Sequence, residues 1–208
     1  RTLALLNGRF TPGPADLAAD ADNTWDDGAA VDAHAYSGWF YDFYFKRFGR
    51  RGLDDNNFRM RSIVHPVSRQ DITRQPAGVV GLFYLNAFYA GSGLMVYGEG
   101  LPPGLTANGQ HWNYLAGALD VVAHELTHGV TDFTSRLLYE FESGALNESF
   151  SDMMATAAEH YFQPGGTGPL KADYLIAEDT ITPGGIRSMA NPMQYGQPDH
   201  YHIRASLP

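Results

Sequence analysis

The sequence predicts an α+β fold. Two observations carry this. Strand-like segments gather between residues 62 and 97 and do not alternate with helices. Two helical patterns then follow each other between residues 115 and 162. A third observation concerns chemistry: the first of those helices contains His124-Glu125-Leu126-Thr127-His128.

Residues 11–30 are rich in Pro, Gly, Ala and Asp and read as loop. Val31, Ala35, Trp39, Phe43 and Lys46 recur with a period near 3.6, which predicts a helix over Val31–Phe48. Gly49-Arg50-Arg51-Gly52 ends it, and Asp54–Asn57 forms a turn. Ser62–Val67, Val79–Ala90 and Leu94–Tyr97 hold β-branched and aromatic residues between Gly breaks and are predicted strands. Residues 99–113 read as loop. Leu115, Leu119, Val122 and Leu126 predict a helix over Leu115–Thr131. Ser143 is positioned to N-cap a second helix, which runs to Phe162 and stops at Pro164-Gly165-Gly166. Beyond it, only Leu175–Thr182 is periodic.

The chain has 208 residues, 44% of them hydrophobic and 18% charged, a globular composition long enough to bury a sizeable core. It contains no cysteine, so neither a disulfide nor a thiol nucleophile is available. No apolar run approaches the ~18 residues that span a bilayer. The net charge of −9 lies entirely in residues 99–208, which carry 13 acids against Arg136, Lys171, Arg187 and Arg204. That balance argues against nucleic acid or an anionic membrane as partner. It leaves two readings of the acids, a solvated surface or ligands for cations.

On an α-helix, positions i and i+4 lie ~40° apart around the axis and ~6 Å along it. His124 and His128 can therefore converge on one ion, and zinc suits two imidazoles, a carboxylate and a water. Glu125 lies between them, where a general base for that water is needed. Glu148 follows His128 with 19 residues between and can supply the third ligand. Asp152, one turn on, can accept a hydrogen bond from the far nitrogen of a ligating His and so fix its tautomer.

His124–Asp132, Tyr139, Glu142–Glu148 and Ser151-Asp152 together resemble the thermolysin family (M4) of zinc metallopeptidases. Weaker similarity extends over Ala19–Asn23, Ala30–His34, Asn86–Phe88, Glu178-Asp179, Arg187–Met189 and Pro198–Tyr201. The resemblance implies a secreted, extracellular zinc-dependent endopeptidase. It implies a β-rich N-terminal lobe over residues 1–134 ending in the HExxH helix, and the start of a helical lobe over 135–208. His124, His128 and Glu148 match the zinc ligands and Glu125 the catalytic base. Tyr139 matches a hydroxyl donor to the developing oxyanion, and Arg187 the residue that bonds the substrate carbonyl beside the scissile bond. Asn86 and Ala87 match an edge that holds a peptide extended. Trp112, Leu115, Val121, Ile176 and Ile186 match an apolar pocket, which implies cleavage before a bulky hydrophobic residue.

Asp120, Glu159, Asp173 and Glu178 match calcium ligands, with Leu175 where the family has an acid, so one calcium is expected there. Asp20 and Asp22 match a further calcium loop, with Thr24 in place of a longer polar side chain. The family also has a β-rich segment before the position of residue 1. It has a helical domain after that of residue 208, which supplies a His to the oxyanion. The expected partners are polypeptide substrates and that remaining part of the enzyme. The alternative function is a zinc- and calcium-binding fragment without catalysis.

Overall fold

The computed structural model describes residues 2–4, 16–19, 21–22 and 24–200. Its largest sheet has four strands. The strands are β1 (Thr2–Ala4), β2 (Arg61–Val64), β3 (Ala87–Tyr89) and β4 (Leu94–Tyr97), in the order β1-β2-β4-β3. The first two pairings are parallel, and β3 pairs antiparallel with β4. Strand β3 is thus an edge.

Helix α1 (Gly28–Phe48) starts where Asp27 accepts a hydrogen bond from the Ala30 N–H, and stops at Gly49 in the left-handed conformation, φ 69°. Helix α3 (Leu119–Phe133) is buried along nearly its whole length, and Leu119, Val122 and Leu126 are fully enclosed. Burying each such side chain contributes roughly 1.5–3 kcal/mol. Helix α4 (Phe141–Phe162) packs along α3 through Ala155 and Ala158. Small residues there let the two backbones approach, which brings Glu148 to the HExxH face.

Three expectations are corrected. Val79–Ala90 is not one strand: Ala77–Phe83 forms helix α2 and only Ala87–Tyr89 extends. Pro76 opens the helix, and Phe83 packs beside Ile63 and Val96, so tertiary contact overrides β propensity. Ser143 does not cap α4: the N-cap is Glu140, and the Ser143 hydroxyl donates to the carbonyls of Leu138 and Glu140. Leu115–Gly117 is a 3-10 turn preceding α3 rather than its first turn. The regions read as loop or tail also hold two-residue ladders. These pair β5 (His111–Trp112) with β7 (Ile181–Thr182), and β6 (Leu175–Ile176) with β8 (Arg187–Ser188).

Gly98 holds the edge strand in place. Its N–H donates to the Asn86 carbonyl at 2.9 Å, and a Cβ there would meet that same oxygen at 2.5 Å.

His65 ties the sheet to α1. Its Nδ1 lies 2.7 Å from Glu99 Oε2 and its Nε2 3.0 Å from Asp27 Oδ1. The Glu99 hydrogen bond, with help from Asp27 and against the effect of burial, raises the imidazole to about 9. A folded-state value above the unfolded ~6.5 stabilises fully below pH ~6.5, and the gain is lost as pH rises through about 9. We expect His65→Gln to cost on the order of 2 kcal/mol at pH 6 in urea denaturation, with the wild-type-minus-variant difference shrinking as pH rises from ~6.5 to about 9. A difference constant with pH would refute the clamp.

Candidate metal centre

One face of α3 presents His124 and His128 toward Glu148 on α4. His124 Nε2 and His128 Nε2 lie 3.0 Å apart. Glu148 Oε2 is 3.3 Å from the first, and Glu148 Oε1 is 3.2 Å from the second. Zinc bonds of ~2.0–2.1 Å directed tetrahedrally span edges of roughly 3.3 Å, so the triangle fits one face of such a site.

The far nitrogens are held separately. His124 Nδ1 lies 2.7 Å from Asp152 Oδ1 and His128 Nδ1 2.8 Å from Asn147 Oδ1. Carboxylate and amide oxygens only accept, so each Nδ1 carries the proton and each Nε2 turns its lone pair to the centre. Two lone pairs at 3.0 Å need a positive charge between them. Burial alone would lower the His124 pKa, but hydrogen bonds to Asp152 and Glu148 raise it, so the centre attracts a cation or a proton.

Glu125 points into the cleft with 6% of its surface exposed, and burial raises its carboxyl while the two imidazoles oppose the rise. The Tyr139 hydroxyl donates to Glu148 Oε1. Arg187 grips Asp152 with both ends, Nε to Oδ2 at 2.8 Å and Nη2 to Oδ1 at 2.7 Å. Asp152 therefore joins the candidate substrate arginine to a candidate ligand.

His124, Glu125, His128, Tyr139, Glu148 and Arg187 line a cleft of about 860 Å³. Asn86 and Ala87, at the start of the β3 edge, form part of one wall. Trp112, Leu115, Val121, Ile176 and Ile186 line the cleft and pack together in one hydrophobic cluster, joined by Ile181.

A second cluster lies about three turns further along α4. Glu159, Glu178 and Asp179 each bring a carboxylate oxygen within 4.8 Å of the others. Both oxygens of Glu159 and Glu178, and Oδ2 of Asp179, are buried without a hydrogen-bond partner. Burial, then repulsion from Asp120, pushes Glu159 and Glu178 well above the carboxylate range. Oxygen-only donors with no proton donors around them fit a hard cation. Asp120 adjoins the cluster, but its oxygens accept from the Val121 and Ala177 N–H groups. Asp173 accepts from the Leu175 N–H at 2.6 Å and adds to the repulsion on Glu159. Asp179 was not among the expected ligands; its signal was its place directly after Glu178. Asp22 is exposed and accepts from the Thr24 N–H at 3.0 Å, and Asp20 lies outside the described residues.

Residues 4–132 match the thermolysin metallopeptidase catalytic domain. The chain belongs to the thermolysin metallopeptidase family. Residues 135–206 match the family's alpha-helical domain. A thermolysin from Alicyclobacillus acidocaldarius subsp. acidocaldarius and a bacillolysin from Bacillus caldolyticus are each 43% identical over 198 residues, 92% of this chain. The chain spans about 31% of the length of these curated relatives. The solved precursor of protealysin, a metalloproteinase from Serratia proteamaculans, superposes with a TM-score of 0.67 at 29% identity. That likeness covers 90% of this chain and 54% of the protealysin precursor. The described part of this family member is mixed α and β, with the catalytic-domain match followed by the start of the helical domain. Among its described residues no helix is long and apolar enough to cross a membrane.

Proposed function

We propose that this chain carries the catalytic centre of a secreted zinc-dependent endopeptidase, divided near residue 134 into a β-rich lobe and the start of a helical lobe. The observation that carries the reading is the triangle of His124, His128 and Glu148, with both histidine tautomers fixed from behind. Zinc, when held there, supplies a Lewis acid that makes water a nucleophile at neutral pH.

The chain's own residues do the rest. Glu125 accepts the proton of the attacking water and delivers it to the leaving amine. Tyr139, one hydrogen bond from Glu148, turns its hydroxyl to the oxyanion as charge develops there. Arg187, held rigid by Asp152, donates to the substrate carbonyl beside the scissile bond. The peptide lies extended along Asn86 and Ala87, pairing its backbone with the strand edge. The apolar end of the cleft takes the side chain after the cut, so bonds preceding large hydrophobic residues are the preferred substrates. Glu159, Glu178 and Asp179, with Asp120 and Asp173 adjoining, hold one structural calcium. Asp22 belongs to a separate calcium loop.

The test is metal content beside activity. One zinc per chain, loss of peptide hydrolysis on chelation and its return with added zinc are expected; hydrolysis that survives complete zinc removal would sink the reading. A second reading, a zinc- and calcium-binding piece without catalysis, draws on the 67% exposure of Tyr139, which leaves the oxyanion donor open to water. Stoichiometric zinc with no hydrolysis of any peptide selects it.

A further inference from the structure

The cleft has two chemically different ends. Val121 sits one turn before His124 on α3, and Asp132 one turn after His128. They lie eleven positions apart on the helix, ~16 Å, which is enough for about five extended residues. At the Val121 end the lining is apolar. At the other end it contains Tyr89, Asp132 and Arg136 beside Leu137 and Leu138.

Arg136 stands in an unusual backbone position. Helix α3 has just ended, and the Arg136 N–H returns to the Thr131 carbonyl at 2.8 Å with φ at 50°. That left-handed place after a helix is ordinarily filled by glycine. Here it throws a long cationic side chain over the cleft.

The charge on that side chain is unmatched. The cleft has two basic residues, and Arg187 is neutralised by both oxygens of Asp152. Asp132 is the acid nearest in sequence, yet it accepts from the Tyr89 hydroxyl at 3.1 Å and forms no ion pair with Arg136. Glu148 is taken by the two histidines and Tyr139. Among the described residues, no hydrogen bond or ion pair engages the Arg136 guanidinium. An exposed arginine at the end of a peptide cleft, otherwise ringed by occupied acids, is a receptor for a carboxylate.

We propose that Arg136 selects an acidic side chain among the residues that precede the scissile bond. This rests on the endopeptidase reading, which gives the apolar end to the residue after the cut and so the Arg136 end to those before it.

The test uses peptides with a bulky hydrophobic residue after the cut and Glu, Gln or Lys placed in turn at each of three positions before it. They are given to the zinc-loaded chain and to Arg136→Gly, Arg136→Lys and Arg136→Glu. Glycine suits the left-handed backbone, so Arg136→Gly removes the charge without new strain, and a thermal melt checks its fold. At one position kcat/KM for Glu over Lys should reach about five- to tenfold and fall with added salt. Arg136→Gly should bring that ratio to about one, Arg136→Lys should retain part of it, and Arg136→Glu should invert it. Equal rates for Glu and Lys at every position, or a preference unchanged in Arg136→Gly, overturns the proposal. If no peptide is cut, the endopeptidase reading has failed, and fluorescence anisotropy with the same labelled peptides decides the role of Arg136 by the same ratios.

Discussion

Glu125→Gln is expected to bind one zinc as tightly as the parent chain and to hydrolyse peptides about 10²–10⁴-fold more slowly. The side chain is not one of the three converging donors, so the amide leaves the metal triangle complete. Glutamine matches glutamate in volume, so the tight surroundings of this nearly enclosed residue are not disturbed. Only the ability to accept and return a proton is lost. Zinc by atomic emission and kcat/KM on one good peptide settle the matter together. Full activity with full zinc would remove Glu125 from the chemistry, and loss of both would make it a ligand or a structural residue.

The carboxylate cluster predicts a stability effect of the same rank. Glu159 is 0% exposed, and neither of its oxygens has a hydrogen-bond partner. Like charges crowded in this way oppose folding unless protons or a cation screen them. With calcium at about a hundred times its dissociation constant the folded state gains about 2.7 kcal/mol. For a chain of this size that is roughly 5–10 °C in melting temperature, lost when a calcium chelator is added. Glu159→Gln separates a site from mere crowding. It should abolish the calcium response while melting higher than the parent chain in chelator, because one buried charge is gone. An unchanged melting temperature with and without calcium would show that these acids hold no calcium.

How much could be read beforehand depended on how local each feature is. His124 and His128 are four apart on one helix, and Glu148 and Asp152 lie one turn apart on the next, so spacing put each pair on one helix face, while the family resemblance implied that the two faces meet. The long helices were legible because Leu119, Val122 and Leu126 repeat with the period of the element. The stretch from Val79 to Ala90 was misread because Val and Phe carry strand propensity and nothing local reveals that Phe83 packs on Ile63 and Val96. Two-residue ladders such as Leu175–Ile176 with Arg187–Ser188 are too short to show alternation. The Asp27–His65–Glu99 clamp draws on three distant segments, and the bidentate grip of Arg187 on Asp152 spans 35 positions. Arg136 was visible only as one of four bases in an acidic half, since the role proposed for it depends on which neighbouring acids are already occupied.

Strand β3 is an edge, with Gly98 fastened behind it, and if peptides bind along it as proposed, that has a consequence for what can be digested. An edge strand recognises backbone, and it can do so only when the incoming backbone groups have no partners of their own. A folded protein offers such a stretch only where a helix end frays or a loop peels away over about five residues. Its rate of digestion would then follow the free energy of that local opening, provided the segment recloses faster than it is cut. On this view the choice between two folded proteins lies less in the enzyme's cleft than in the victim's own fluctuations. A compact substrate would persist until heat or partial denaturation loosens it, even if it carries many suitable hydrophobic residues.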